Sequence, residues 1–181
     1  MKHIMLDLET MGNGNNAAIA AIGACSFVLH PNEGSDGIVS KFYTKVDLQT
    51  SVDAGMNLDV STILWWLKQS DEARKSTFGG ETLPLRDACF RFGNWIADKD
   101  AAVWGNGATF DNVIIRSAFK AVKLPVPWSF RGDKCYRTVI NLLPPKERQP
   151  VFERAGTAHN ALDDAITQAR HLQKVWKELG L

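Results

Sequence analysis

The sequence is poor in cysteine, in net charge, in long apolar runs and in repeated segments, and each shortage removes a class of protein. Three cysteines, Cys25, Cys89 and Cys135, are spread over 181 residues. No CxxC pair suggests zinc, and an odd count does not build a disulfide framework. Buried free thiols are the expectation, since Cys25 lies in an apolar run and Cys89 on an apolar helix face. His3, His30 and His171 show no ligand spacing with those cysteines. Lys and Arg number 21 against 20 Asp and Glu, a net +1. That argues against coating duplex DNA by charge alone, but leaves room for a small nucleic-acid substrate held by metal ions in a cleft. No apolar run is long enough to cross a membrane, and an acidic motif follows the first residues where a signal peptide would be apolar. A cytoplasmic location is the default expectation. Repeats, low-complexity tracts and long linkers are missing, so one domain over residues 1–181 is expected.

What is present reads as alternating layers. Ile4, Leu6 and Leu8 alternate with Met5, Asp7 and Glu9, the period of a strand. A Gly/Asn loop over 12–16 precedes a buried strand over 17–29, a turn over 30–37 and a third strand over 38–46. The short connection makes the second and third strands antiparallel neighbours. Helical spacing follows over 61–69, from Ser70 onward, and from Pro84 through Leu85, Ala88, Cys89, Phe92, Trp95 and Ile96. A short strand over 101–104 breaks at Gly105-Asn106-Gly107, and a helix begins near Asp111. A loop spans 125–132, a short helix 136–143, and the last helix 160–179. Ala161, Ala165 and Ala169 give that last helix a small-residue stripe suited to pressing on a sheet. The order of elements is that of an α/β layered fold on a mixed sheet.

The chemistry is concentrated in acids at element ends. Asp7 and Glu9 leave the first strand on one face. Asp111 follows a strand and a glycine break, and Asp164 lies in the first turn of the last helix just after His159. Taken singly, each has a bland explanation. Strand-end acids are often merely solvated, first-turn acids satisfy the helix N-terminus, and a loop histidine needs no role. Together they stand beside loops, where layered α/β folds place their chemistry. Carboxylates gathered around one point need cations, and two hard cations in such a nest are a device for splitting a phosphodiester.

Three motifs occur in order: Asp7-Leu8-Glu9-Thr10, Phe110-Asp111-Asn112 and His159-Asn160-Ala161-Leu162-Asp163-Asp164-Ala165. In this order they resemble the DEDDh branch of the DnaQ-like 3′→5′ exonucleases. The resemblance spans Asp7 to Ala165 and is most specific in the third motif. Chain size and the Trp65-Trp66 segment look most like the small stand-alone exoribonuclease-like members of phages and mycobacteria. The resemblance implies a ribonuclease H-like three-layer fold, with three N-terminal antiparallel strands plus further strands in a mixed sheet flanked by helices. It implies that Asp7, Glu9, Asp111 and Asp164 bind two Mg2+ ions, for which Mn2+ is able to substitute, and that His159 is the general base. Asp7 would bridge the ions, Glu9 and Asp164 would hold the one carrying the attacking water, and Asp111 would support the other. Asp163 falls outside the pattern and is assigned to the helix dipole. Many relatives carry His-Asn ahead of the second motif where this chain has Asn106-Gly107, so local substrate contacts are expected to differ.

The implied partner is single-stranded nucleic acid with a free 3′ end, RNA slightly preferred, cut to nucleoside 5′-monophosphates. No membrane partner is expected, and a homodimer is left open. The backbone of Glu9-Thr10-Met11 is placed to meet the terminal sugar. Met11 and Phe110 would wedge or stack the last base, or simply pack around the site. Of Trp65 and Trp66, one is expected in the core and the other on the cleft, with Trp66 taken as a candidate substrate contact. Arg131, Lys134 and Arg137 would touch phosphates or form a solvated basic face. The competing readings are a DNA-directed proofreading or repair exonuclease, and a non-catalytic nucleic-acid-binding module on the same fold.

Overall fold

A computed structural model describes residues 1–148 and 154–181. The alternation at the N-terminus forms β1 (His3–Thr10), followed by β2 (Ile19–Phe27) and β3 (Ile38–Lys45). The remaining strands are β4 (Ala102–Gly105) and β5 (Asp133–Cys135). Their order in the sheet is β3-β2-β1-β4-β5. β1, β2 and β3 pair antiparallel, whereas β4 runs parallel to β1 and β5 parallel to β4. The sheet is therefore mixed, as the order of elements predicts.

Helices cover both faces. On one face lie α1 (Leu48–Asp53), α2 (Val60–Trp66), α3 (Asp71–Phe78), α4 (Leu85–Ile96) and α5 (Asp111–Ala121). On the other lie α6 (Tyr136–Ile140) and α7 (Ala161–Glu178). The period of two in β1 sends Ile4, Leu6 and Leu8 into one apolar cluster, with Cys89 and Phe92 of α4 and Ile114 and Phe119 of α5. It sends Met5 to the opposite cluster, with Cys25, Tyr136 and the Ala165, Ala169 and Leu172 face of α7. Asp7 and Glu9 share the parity of Met5 and so face α7.

Two elements were not foreseen. α1 is six residues long, started by Asp47 accepting from the Gln49 N–H, and is too short to show a period. β5 has three residues, too few for alternation to register. α2 stops at Trp66, short of the expected 69, and α6 stops at Ile140, short of 143. Both ends leave out residues that lie in turns.

The seating of α7 depends on one glycine. Gly23 of β2 pairs with Asp7. A methyl group at position 23 would lie 2.1 Å from the Ala161 carbonyl carbon and 2.2 Å from the Leu162 nitrogen. No side chain fits between β2 and the first turn of α7, and Ala161, Ala165 and Ala169 are fully buried along this contact. Gly23→Ala is expected to lower unfolding free energy by about 1–3 kcal/mol in a urea titration, the scale of an overpacked core. Wild-type stability in that variant would show that α7 does not press on the strand backbone.

Candidate active site

The end of β1 brings the first two acids to the rim of the sheet. Asp7 pairs with Gly23 and Glu9 with Ala21 across the antiparallel ladder. On the other side β4 ends at Gly105, opposite Leu6. Beyond that end the Leu8 N–H donates to Asp111 Oδ1 at 3.2 Å. Asp111 is the first residue of α5 and only 2% exposed. A side chain on Gly105 would start 3.1 Å from Asp111 Oδ2 and 2.4 Å from Asn112 Oδ1, so the glycine break lets this acid close onto β1.

The last acid is fixed by the start of α7. Asn160 caps the helix, its Oδ1 accepting from the N–H groups of Leu162 and Asp163 at 3.1 and 3.2 Å. Its Nδ2 donates to Ser76 Oγ of α3 at 2.6 Å. This cap and the Gly23 seat aim Asp164 at the end of β1. Asp7, Glu9 and Asp164 each offer an oxygen within 4.8 Å of the others. Asp111 stands outside that triangle, bound to the β1 backbone.

These carboxyl groups oppose one another's ionisation. Burial, then the charges of Asp111 and Glu9, push Asp7 well above the ordinary carboxylate range. Burial first, and then Asp111, raise Glu9 to about 8. Burial raises Asp111 to about 7 despite the Leu8 hydrogen bond. Such a nest is unfavourable unless positive charge enters it. An all-oxygen donor set of this kind suits a hard divalent cation. Two neighbours already engage these acids: the Arg154 charge pairs with Asp164, and the neutral Gln168 Nε2 donates to Asp7 Oδ1 at 2.8 Å.

His159 sits in the loop just before α7 with φ +61°, a left-handed conformation costly for a side chain of this size. Its carbonyl accepts from Thr77 Oγ1 at 3.2 Å, which ties the loop to α3. The ring stands edge-on to Trp65, with centroids 5.0 Å apart. Burial, then the Arg154 charge, lowers its pKa from the ordinary imidazole value, which favours the neutral ring. Asp163 does more than face the helix dipole, because its Oδ2 accepts from the Thr157 N–H at 2.8 Å and so braces the same loop.

Two cavities flank the acids. One, about 370 Å³, is walled by Glu9, Thr10, Asn13, Trp65, Trp66 and Phe110. The other, also about 370 Å³, joins Asp7, Asp164 and His159 to Arg148, Arg154 and Gln168. Thr10 and Phe110 thus border the first cavity. Trp66 lies at its buried side, 4% exposed, donating its indole N–H to the Thr10 carbonyl at 3.0 Å. Trp65, at 42%, is the open face of the pair. The Met11 side chain is buried with Ala17 and Met56 in the main core and borders neither of these cavities. The ladder slips register between Glu9 and Thr10, and such an irregularity turns the following side chain away from the site. Of the three basic candidates, Arg137 reaches the site's border, donating to the Asn106 carbonyl at 2.7 Å. Arg131 lies over the exposed ring of Phe130, and Lys134 donates to the Arg131 carbonyl.

Sequence reasoning missed Gly23, Arg154 and Gln168. Gly23 and Arg154 carry no local pattern, being a strand glycine and a loop arginine. Gln168 had a signal: it follows Asp164 by four residues and so shares its helix face.

Comparison with known proteins agrees with this geometry. Exodeoxyribonuclease of Enterobacteria phage T4 is 31% identical over 124 residues, covering 64% of this chain and 54% of the phage protein. The chain thus matches about half the length of that relative. E. coli exonuclease I in complex with a dT13 oligonucleotide superposes with a TM-score of 0.69 at 14% identity, over 99% of this chain and 42% of the exonuclease. The nuclease domain of 3′hExo, a DEDDh family member bound to rAMP, superposes with 0.62 at 13% identity, over 98% and 92%. The fold is accordingly that of the ribonuclease H-like exonucleases. Among the described residues no helix is long and apolar enough to cross a membrane. The family described as the 3′-5′ exoribonuclease Rv2179c-like domain matches residues 2–176, and the chain belongs to that family of 3′-5′ exonucleases.

Proposed function

We propose that this chain removes nucleotides one at a time from the 3′ end of single-stranded nucleic acid, with RNA slightly preferred, using two Mg2+ ions and His159 as general base. The observation that carries the reading is the convergence of Asp7, Glu9 and Asp164 within 4.8 Å, beside a cavity that also holds His159. Asp7, Glu9 and Asp164 would hold the ions, with Asp111 supporting from the β1 backbone; Mn2+ is able to substitute. Bound divalent ions supply neutralisation of the scissile phosphate and of the oxygens that attack and leave.

The protein's own groups do the rest. Thr10, Phe110 and the exposed face of Trp65 border a cavity of a size and character to receive a terminal nucleoside, with the buried Trp66 behind them. Arg148 and Arg154 line the cavity on the opposite side of the acids, where a phosphate would meet positive charge. His159 takes the proton of the attacking water. The water oxygen bonds to the terminal phosphorus, the bond to the penultimate 3′ oxygen breaks, and that oxygen takes up a proton from solvent. The products are a nucleoside 5′-monophosphate and a strand with a new 3′-hydroxyl. The family description supports RNA as the substrate. DNA is the second reading, favoured by the 31% identity to a phage exodeoxyribonuclease. The full set of acids with a placed histidine supports catalysis over binding alone.

A time course on single-stranded RNA and DNA of equal sequence, each labelled at the 5′ end, tests the reading. A ladder shortened from the 3′ end with Mg2+, absent with chelator and faster on RNA, is expected. Internal cuts, or shortening that ignores chelator, would contradict it. Asp7→Asn should abolish turnover and yet melt above metal-free wild type, because it removes one of the repelling charges. Mg2+ at 100 times its Kd adds about 2.7 kcal/mol of stability to a protein with an intact site, and calorimetry should find no such gain in Asp7→Asn. His159→Ala should cut kcat by about 10²–10⁴-fold, the scale of a lost general base, with Mg2+ affinity unchanged. A wild-type rate in that variant would remove the base assignment.

A further inference from the structure

Gln168 lies one helical turn beyond Asp164 on the same face of α7. Its Nε2 donates to Asp7 Oδ1 at 2.8 Å, across the Gly23 seat. Its Oε1 is fully buried and, among the described residues, has no hydrogen-bond partner. Packing alone does not favour that arrangement, since an apolar side chain of equal length would fill the space with no buried acceptor left over. The amide is therefore explained by its donor end.

We propose that Gln168 is a positioning residue that fixes the Asp7 carboxylate for metal binding. This rests on the reading of Asp7 as a metal ligand. The side chain suits the task in two ways. It is neutral, so it holds one Asp7 oxygen in place without cancelling the charge a cation needs, and it leaves the other oxygen free. It also rides on the helix that supplies Asp164, so α7 sets one ligand directly and orients a second one borne by β1. Arg154 on Asp164 is the contrast. It is a full positive charge from a surface loop, 48% exposed, and it competes with a cation for the same carboxylate. Carboxylate ligands in metal sites are commonly braced by such hydrogen bonds, and loss of one costs about 10–100-fold in metal affinity or activity.

The test is Gln168→Met, which keeps length and removes the donor, alongside Gln168→Asn, which keeps the amide on a shorter arm. Mg2+ affinity is read by calorimetry, and kcat and KM as functions of Mg2+ concentration. In Gln168→Met the Mg2+ Kd and the half-activating concentration should rise together by about 10–100-fold. KM for the oligonucleotide at saturating Mg2+ should stay near wild type, while the metal-free melting temperature should fall, because Asp7 loses a hydrogen bond that eases its ionisation. Gln168→Asn should fall between the two, and it carries the comparison should the Met variant not fold. Wild-type Mg2+ affinity in either variant would overturn this inference alone. A wild-type protein that neither binds Mg2+ nor turns over would overturn the functional reading and this inference with it.

Discussion

The contact of helix backbone on strand backbone at Gly23 is the constraint from which the site follows. β1 alone can offer only Asp7 and Glu9. The third oxygen of the triangle comes from a residue more than 150 positions later in the chain, and it arrives because α7 lies directly on β2 with no side chain between. The same approach lets Gln168 reach Asp7. The Asn160 cap and the Thr77 bond to the His159 carbonyl then anchor the loop that carries His159. A tight glycine seat and a strained histidine are both local costs, and both fall at the place where chemistry is gathered.

Electrostatics runs against the fold at that place. Buried acids raise one another's pKa, and the protein offsets this with a loop arginine, an amide and backbone N–H groups rather than with a buried lysine or arginine fixed in the core. Such a site is stable enough to form and still short of positive charge. A cation entering such a site would gain from that shortage, and its binding would add to folding stability.

Much of this was legible in the chain. Alternation in β1 is strong because one face is wholly apolar, so the shared side of Asp7 and Glu9 could be read directly. Asp111 could be placed at a helix start because a glycine break precedes it, and Asp164 because a long helical pattern begins just before it. The α7 stripe of Ala161, Ala165 and Ala169 announced close packing on a sheet. What that stripe packs against was not legible, since Gly23 shows its role only when a distant backbone is laid on it. The turn of the Met11 side chain into the core follows a register slip after Glu9, which no local sequence pattern shows. The tryptophan pair could be split into a buried and an exposed member, but which was which depended on the Thr10 carbonyl taking the Trp66 indole. β5 and α1 escaped because periodicity needs more residues than either contains.

The central claim is that β1, the start of α5 and the start of α7 meet at one cation site. Paramagnetic broadening by substoichiometric Mn2+ in the isotope-labelled protein measures this directly. The account predicts that backbone amides of Asp7–Thr10, Asp111 and Asn160–Gln168 broaden together, at the same Mn2+ concentration. Broadening centred on another part of the molecule, or on β1 without α7, would contradict it.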